Sequence, residues 1–242
     1  MLEVKDILMQ SLTSRVTVLL AALNEESGIG PTISEIQSVM TDSHLLVVDG
    51  NSIDKTVEIA QSLGAKVAFQ NGVGKGDAIL EGIKNLQDDT KYVVFTDADY
   101  TYPAEFIPQM VRILDQSPRI GMVIGDRFGG SKNQDKSSKN VFYIGNKMIS
   151  YVHLILNGIR LNDPLSGLRV VRAELLKKWI PESKGFDVEV EINAMVDNEG
   201  YQIAEVPIDY RLRLGEKKLK PRDGFQIFSR IVALSLKRGF EY

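Results

Sequence analysis

The chain has 242 residues, 43% hydrophobic and 25% charged, with no cysteine, two histidines and a formal net charge of −3. These values exclude a disordered chain, a collagen and a coiled-coil rod, and they suit one large or two small domains around a sizeable core. Disulfides, thiolate zinc sites, cysteine nucleophiles and multi-histidine metal sites are excluded as well, so any metal must be held mainly by oxygen, which favours Mg or Mn.

An apolar run over residues 15–23 predicts a first strand, followed at once by Asn24-Glu25-Glu26. Apolar spacing over 29–40 predicts a helix. LLVVD at 45–49 predicts a second strand, leading into Gly50-Asn51-Ser52, and residues 55–63 a second helix. A third strand is expected over 65–69 and a helix over 76–86. KYVVFTD at 91–97 reads as a strand ending in Asp97-Ala98-Asp99, then a helix over 104–114 and a strand over 120–125 that ends in Asp126-Arg127. Strands buried on both faces that alternate with helices predict βαβ units and a mostly parallel sheet. Ligands of such sheets bind outside the carboxyl ends of the strands, and here polar, mostly acidic groups follow four of the five.

After Arg127 the polar stretch 128–140 reads as a loop and 141–161 as a long helix. Residues 173–179 and 188–196 are expected to be helical and 201–210 extended; a basic loop follows over 213–222, then a terminal helix over 224–238. Residues 211–242 carry nine Lys or Arg against three Asp or Glu, a balance of +6, leaving −9 on the first 210. Such a tail suits an anionic partner or a solvated basic helix. The terminal helix puts Phe225, Phe228, Ile231, Val232 and Leu236 on one side, which fits either an anionic membrane or packing on the sheet. No apolar run reaches the roughly 18 residues of a membrane span, and the acid-bearing start lacks a signal-peptide core; the expected address is the cytoplasm.

Asp97 and Asp99 at a strand end can share one divalent cation and leave coordination sites for water and phosphates; alternatively Asp99 caps the helix that follows. An EF-hand fails, because Tyr102 and Pro108 stand where Gly and Glu are required. The stretch Gly72-Val73-Gly74-Lys75-Gly76 matches neither the Walker nor the dinucleotide pattern, and reads as a turn whose amides and Lys75 either face a phosphate or simply join strand to helix. Arg127 suits a phosphate, or an ion pair with Asp126 or another acid. His44, His153 and Trp179 read as packing residues.

Read together, these segments resemble the inverting GT-A-fold glycosyltransferases of family 2, and within them the polyprenyl-phosphate (dolichyl-phosphate) hexose synthases. The matching pieces are LNEE at 23–26, VVDGNSIDKT at 47–56, GKGDA at 74–78, TDAD at 96–99, IGDRF at 124–128 and GNK at 145–147. DPLSG at 163–167, GFDVEVE at 185–191, EVP at 205–207, RLRLGEKKL at 211–219 and PRDG at 221–224 complete the series. The IGDRF and PRDG segments look most like the archaeal branch, which begins N-glycan assembly. The resemblance implies an α/β GT-A (Rossmann-like) fold over 1–220, and a basic amphipathic helix over 221–242 that associates with membrane.

It also implies roles. Leu23, Asn24, Glu25, Asp49 and Ser52 would hold the nucleotide's base and ribose, with Lys75 and Asp77 beside them. Asp97 and Asp99 would bracket the metal and diphosphate. Arg127 would bind the acceptor phosphate and Arg213 the donor phosphates, with Asp99, Arg127 and Arg213 catalytic. Ser166 and Gly167 would shape the sugar and acceptor pocket, and Lys218 the closing loop; Asp163 and Glu191 are further candidates. The implied partners are a nucleotide sugar, a UDP-sugar in preference to GDP-mannose, a polyprenyl-phosphate acceptor and the cytoplasmic face of the membrane, with no nucleic acid. Thr101 stands where the mannose enzymes often carry Gln. A transferase acting on a hydroxyl, with Asp163 or Glu191 as general base, and a non-catalytic nucleotide-sugar-binding module are the rival readings.

Overall fold

The structure, a computed structural model, describes residues 12–130, 141–218 and 220–240. Seven strands form one sheet: β1 (Val16–Ala22), β2 (His44–Asp49), β3 (Lys66–Phe69), β4 (Tyr92–Asp97), β5 (Ile120–Asp126), β6 (Arg169–Arg172) and β7 (Gln202–Pro207). Their order is β3-β2-β1-β4-β6-β5-β7. Only β6 runs against the others; β1 pairs in parallel with β2 and β4, β2 with β3, and β5 with β7. The expected mostly parallel sheet is present.

Helices cover both faces. They are α1 (Ile29–Val39), α2 (Thr56–Ser62), α3 (Lys75–Lys84), α4 (Ile107–Gln116), α5 (Val141–Asn157), α6 (Ala173–Lys178), α7 (Val188–Asn198) and α8 (Pro221–Phe240). Successive strand residues point to opposite faces, so one run supplies two cores. Val16, Val18 and Leu20 of β1 join Val47 and the α1 and α4 residues Ile33 and Met110. Leu19 joins Leu46, Val48 and the α7 residues Val188 and Ile192 on the other face. Strands covered on both sides must be apolar throughout, which is why β1, β2 and β4 read as continuous runs.

Three differences from the sequence reading have physical causes. Strand β6 was not foreseen: it is four residues long and has an arginine at each end. Arg169 is fully buried, its guanidinium donating to the carbonyls of Pro164, Ser166 and Glu189 and to the side chain of Asn193. Strand β3 is half-exposed rather than buried on both faces, because it lies at the sheet edge. Helix α5 stops at Asn157, four residues short of the expected end, where Gly158 takes φ +71°. Most of the loop expected over 128–140 lies outside the described residues.

Helix α8 packs on the body. Ile227 and Ile231 are buried against Ile149 and Val190. Three of its cations are paired within the chain: Arg230 with Asp187 and Glu182, Lys237 with Glu182, and Arg238 with Asp197.

Candidate active site

The carboxyl ends of β1, β2 and β4 open side by side. Among the described residues, the non-glycine residues with positive φ are Asn24 (+50°), Asn51 (+66°) and Tyr100 (+66°). All three lie in the loops that leave these strands. Backbone strain concentrated at one crevice marks a site that the surrounding fold holds in place.

The loops are tied to one another. Asp49 is buried and accepts from the Ser52 amide and hydroxyl at 2.8 and 2.6 Å. The Ser52 hydroxyl accepts in turn from the Asn24 amide, and Asn24 Oδ1 accepts from the Ile53 amide. Asp77 accepts from the Gly72 amide at 2.7 Å and so closes the glycine-rich turn. Asn24, Asp49, Ser52 and Asp77 therefore shape the crevice, while Leu23, Glu25, Lys75, Asp97, Asp99, Arg127, Arg213 and Lys218 line it. Ser166 is buried behind the lining. A Cβ on Gly167 would stand 2.7 Å from the Asp97 carboxylate, so this glycine lets the chain back directly onto that acid.

Charged groups are paired in three sets. Lys75 Nζ lies 2.7 Å from Asp97 and 2.8 Å from Glu189. Burial pulls the Lys75 ammonium down, but the two carboxylates outweigh it and hold it above the ordinary lysine value. Burial pushes Asp97 up, and Lys75 reverses this, leaving it below the usual carboxylate range. In the second set, Arg213 Nη2 lies 2.5 Å from Glu25 and 3.3 Å from Asp99. Burial raises Glu25 to about 7 against the pull of Arg213 and Lys218. Burial and the neighbouring Asp97 raise Asp99. In the third, Arg127 donates from Nε and Nη2 to both oxygens of Asp163, each at 2.7 Å, and is flanked by the rings of Phe128 and Tyr210. Of the two readings left open for Arg127, an ion pair with another acid is present, and the acid is Asp163; Arg127 still lines the crevice.

Asp99 does not cap a helix. Its Oδ1 accepts from the amide and hydroxyl of Thr101, and the following 3-10 turn begins at Ala104 with no side-chain cap. The basic loop after Tyr210 crosses the strand ends as a strap. The amides of Arg211 and Leu214 donate to the carbonyls of Thr101 and Asp99, Arg211 clasps Glu35, and Lys218 donates to the Asn24 carbonyl.

Glu189 and Tyr102 escaped the sequence reading. Glu189 lines the crevice with Oε2 unpartnered, whereas Glu191, the acid singled out in GFDVEVE, faces away and accepts from the amides of Glu182 and Ser183. Only the helical phase of α7 decides between them. The Tyr102 hydroxyl accepts from the Gly167 amide at 2.7 Å.

The resulting cavity is about 1090 Å³ and has two unlike ends. One carries the charged sets above. The other is an apolar arm between α5 and α8, formed by Ile149, Val152, Leu165, Phe186, Ile227 and Phe228.

A family model described as Glycosyl transferase family 2 matches residues 17–179, which hold the strand ends, the Asp97-Ala98-Asp99 segment and Arg127. The chain belongs to glycosyl transferase family 2. A Haloferax volcanii relative, dolichyl-phosphate hexose transferase, is 35% identical over 212 residues, 86% of this chain and 87% of the relative. A second protein of that organism, glycosyltransferase AglJ, is 32% identical over 216 residues, 88% of this chain and 69% of the relative. The solved structure of glucosyl-3-phosphoglycerate synthase from Mycobacterium tuberculosis, with Mn2+, UDP-glucose and phosphoglyceric acid, matches with a TM-score of 0.72. The two are 24% identical, over 94% of this chain and 82% of that one, which speaks for the shared fold. As a family 2 glycosyltransferase the protein has the GT-A arrangement expected of it. No helix among the described residues is long and apolar enough to cross a membrane.

A divalent cation suits Asp97 and Asp99 on the chemistry of the donor set. Both are carboxylates at one strand end, and in this structure each is compensated by a cationic side chain, Lys75 or Arg213. Among the described residues no group of three or more potential ligands is placed to hold a metal by itself. Two protein carboxylates completed by water and substrate phosphates is the pattern typical of Mg or Mn.

Proposed function

We propose that this glycosyltransferase moves a hexose or N-acetylhexosamine from a nucleotide sugar to a polyprenyl (dolichyl) phosphate, with inversion, at the cytoplasmic face of a membrane. The observation that carries this reading is the two-ended cavity. Its charged end suits a nucleoside diphosphate, and its apolar arm suits the first isoprene units of a lipid. A small soluble acceptor would leave that apolar arm unfilled. A UDP-sugar is favoured over GDP-mannose as donor, supported by Thr101 in place of the glutamine common in mannose enzymes.

In this mechanism an acceptor phosphate oxygen attacks the anomeric carbon. The new C–O bond forms as the bond to the diphosphate breaks, and the nucleoside diphosphate leaves from the opposite side. The attacking phosphate is already ionised at neutral pH, so no side chain has to remove a proton. Mg or Mn on Asp97 and Asp99 would neutralise charge on the leaving diphosphate. Glu25 and the Asp49–Ser52–Asn24 network hold the base and ribose in position. Arg213 and Lys218 bring positive charge over the donor phosphates, and Arg127, held in one orientation by Asp163, faces the acceptor phosphate. The hydroxyl-acceptor reading has less support, since both of its candidate bases are occupied: Asp163 by Arg127 and Glu191 by two backbone amides.

The test is a transfer assay with Mg or Mn and labelled UDP-glucose, UDP-N-acetylglucosamine or GDP-mannose. Each donor is offered dolichyl phosphate and, in parallel, 3-phosphoglycerate. Label entering the organic phase from a UDP-sugar is expected. Transfer only to the soluble acid, or nucleotide-sugar binding without transfer to either acceptor, would overturn the proposal.

A further inference from the structure

Helix α5 has an inverted surface. Its 17 residues include no Asp or Glu and a single Lys. Its buried side carries Asn146, His153 and Asn157 besides Ile149, with the asparagines donating to the carbonyls of Asn162 and Ile231. Its outer side carries Ile144, Met148, Tyr151 and Ile155, which are 45%, 64%, 64% and 59% exposed, flanked by Leu154 and Leu156. These four recur at intervals of four, three and four residues and so form one stripe, about 16 Å long. A surface helix in water carries polar side chains there. Helix α4 of the same chain does so, exposing Gln109, Arg112, Asp115 and Gln116.

We infer that the outer stripe of α5 is the surface by which the protein docks on an anionic lipid monolayer, with the mouth of the cavity turned towards the lipid. This rests on the polyprenyl-phosphate reading for its purpose but not for its test. Two observations choose lipid as the occupant. The stripe is continuous with the apolar arm, because Met148 belongs to both and exposed Leu212 and Phe228 stand at the same mouth. Cations also gather there: Lys217, Lys218 and Lys220 line the cavity, and exposed Arg222 follows on α8. Lysines beside an apolar stripe complement anionic headgroups. The terminal helix α8, for which the sequence left open membrane contact or packing on the body, packs on the body through Ile227 and Ile231, with Arg230, Lys237 and Arg238 engaged by Asp187, Glu182 and Asp197.

The full chain is floated with phosphatidylglycerol–phosphatidylcholine vesicles and compared with Tyr151→Glu/Ile155→Glu, two positions outside the cavity lining. The double variant is expected to lose at least about tenfold in partitioning, with its melting temperature and its transfer to a short, detergent-dispersed prenyl phosphate unchanged. Equal flotation of the two proteins would overturn the inference. So would a concentration-dependent dimer that the double variant abolishes and vesicles do not dissociate. Should the double variant fail to fold, Tyr151→Trp supplies an independent reading. Its emission should shift to the blue on vesicles and be quenched by brominated acyl chains relative to the parent, which carries Trp179 alone; no quenching would count against docking. Absence of transfer to any prenyl phosphate would sink the acceptor reading and leave the flotation result standing.

Discussion

Lys75 is the cation shared by Asp97 and Glu189, and replacing it with methionine tests whether that ionic set holds the site together. The substitution keeps roughly the length and apolar stem of the side chain and removes only the charge. Glu189 is 4% exposed, so its carboxylate would be left in a poorly solvated place with no partner at 2.8 Å. Removing one partner of a buried ion pair costs about 3–5 kcal/mol. Asp97 keeps some contact with water in the crevice, which places the expected loss at the lower end, about 3 kcal/mol. For a chain of this size each kcal/mol moves the melting point by roughly 2–4 °C, so Lys75→Met should melt about 6–12 °C below the parent at pH 7. Manganese with UDP should recover more stability in the variant than in the parent, since a cation on Asp97 replaces the missing ammonium. Calorimetry with and without manganese and UDP reads both effects. A variant within about 2 °C of the parent at pH 7, a margin worth under 1 kcal/mol, with the same response to manganese, would refute the reasoning.

Two buried groups predict opposite pH dependences. Glu25 is raised from 4.5 to about 7, so the stability it contributes is present below pH 4.5 and is lost as pH rises through 7. Burial lowers His153 from 6.5 to about 4, so its contribution is present above pH 6.5 and is lost as pH falls through 4. Each is worth on the order of 3 kcal/mol, and the two nearly cancel between. Denaturant titrations at pH 5 and 7 should therefore show Glu25→Gln gaining stability towards pH 7 relative to the parent, and His153→Gln gaining towards pH 5; parallel profiles would contradict both assignments. Gly167→Ala pushes a methyl group to 2.7 Å from the Asp97 carboxylate. A displacement of that kind should cut kcat/KM on the order of 100-fold with little change in far-UV dichroism. Arg127→Ala should raise the KM for lipid phosphate and leave UDP binding by calorimetry intact; loss of UDP binding would place Arg127 on the donor instead.

Local chemistry made much of the protein legible from its amino acids. Apolar runs covered on both faces gave the strands, 3.6-residue spacing gave the helices, and the acids that follow β1, β2 and β4 marked the crevice before any contact was known. Asp97, Asp99 and Arg127 stood out because charged side chains just after apolar strands have few structural uses, whereas Arg213, six residues beyond β7, was reached only through the resemblance to the family. What the chain could not disclose is what each side chain meets across long sequence separations. Strand β6 was hidden because burial of Arg169 depends on a carbonyl and a side-chain amide supplied by the chain 20 and 24 residues away. The choice of Glu189 over Glu191 depends on the helical phase of α7, which is set by packing of Val188 and Ile192 on the sheet. Arg127 met Asp163, 36 residues on, only when the strand ends were assembled. The packing of α5 and α8 was decided the same way. Hydropathy gives each helix an apolar side, but only packing decides which of those sides is covered by the body and which is left facing out.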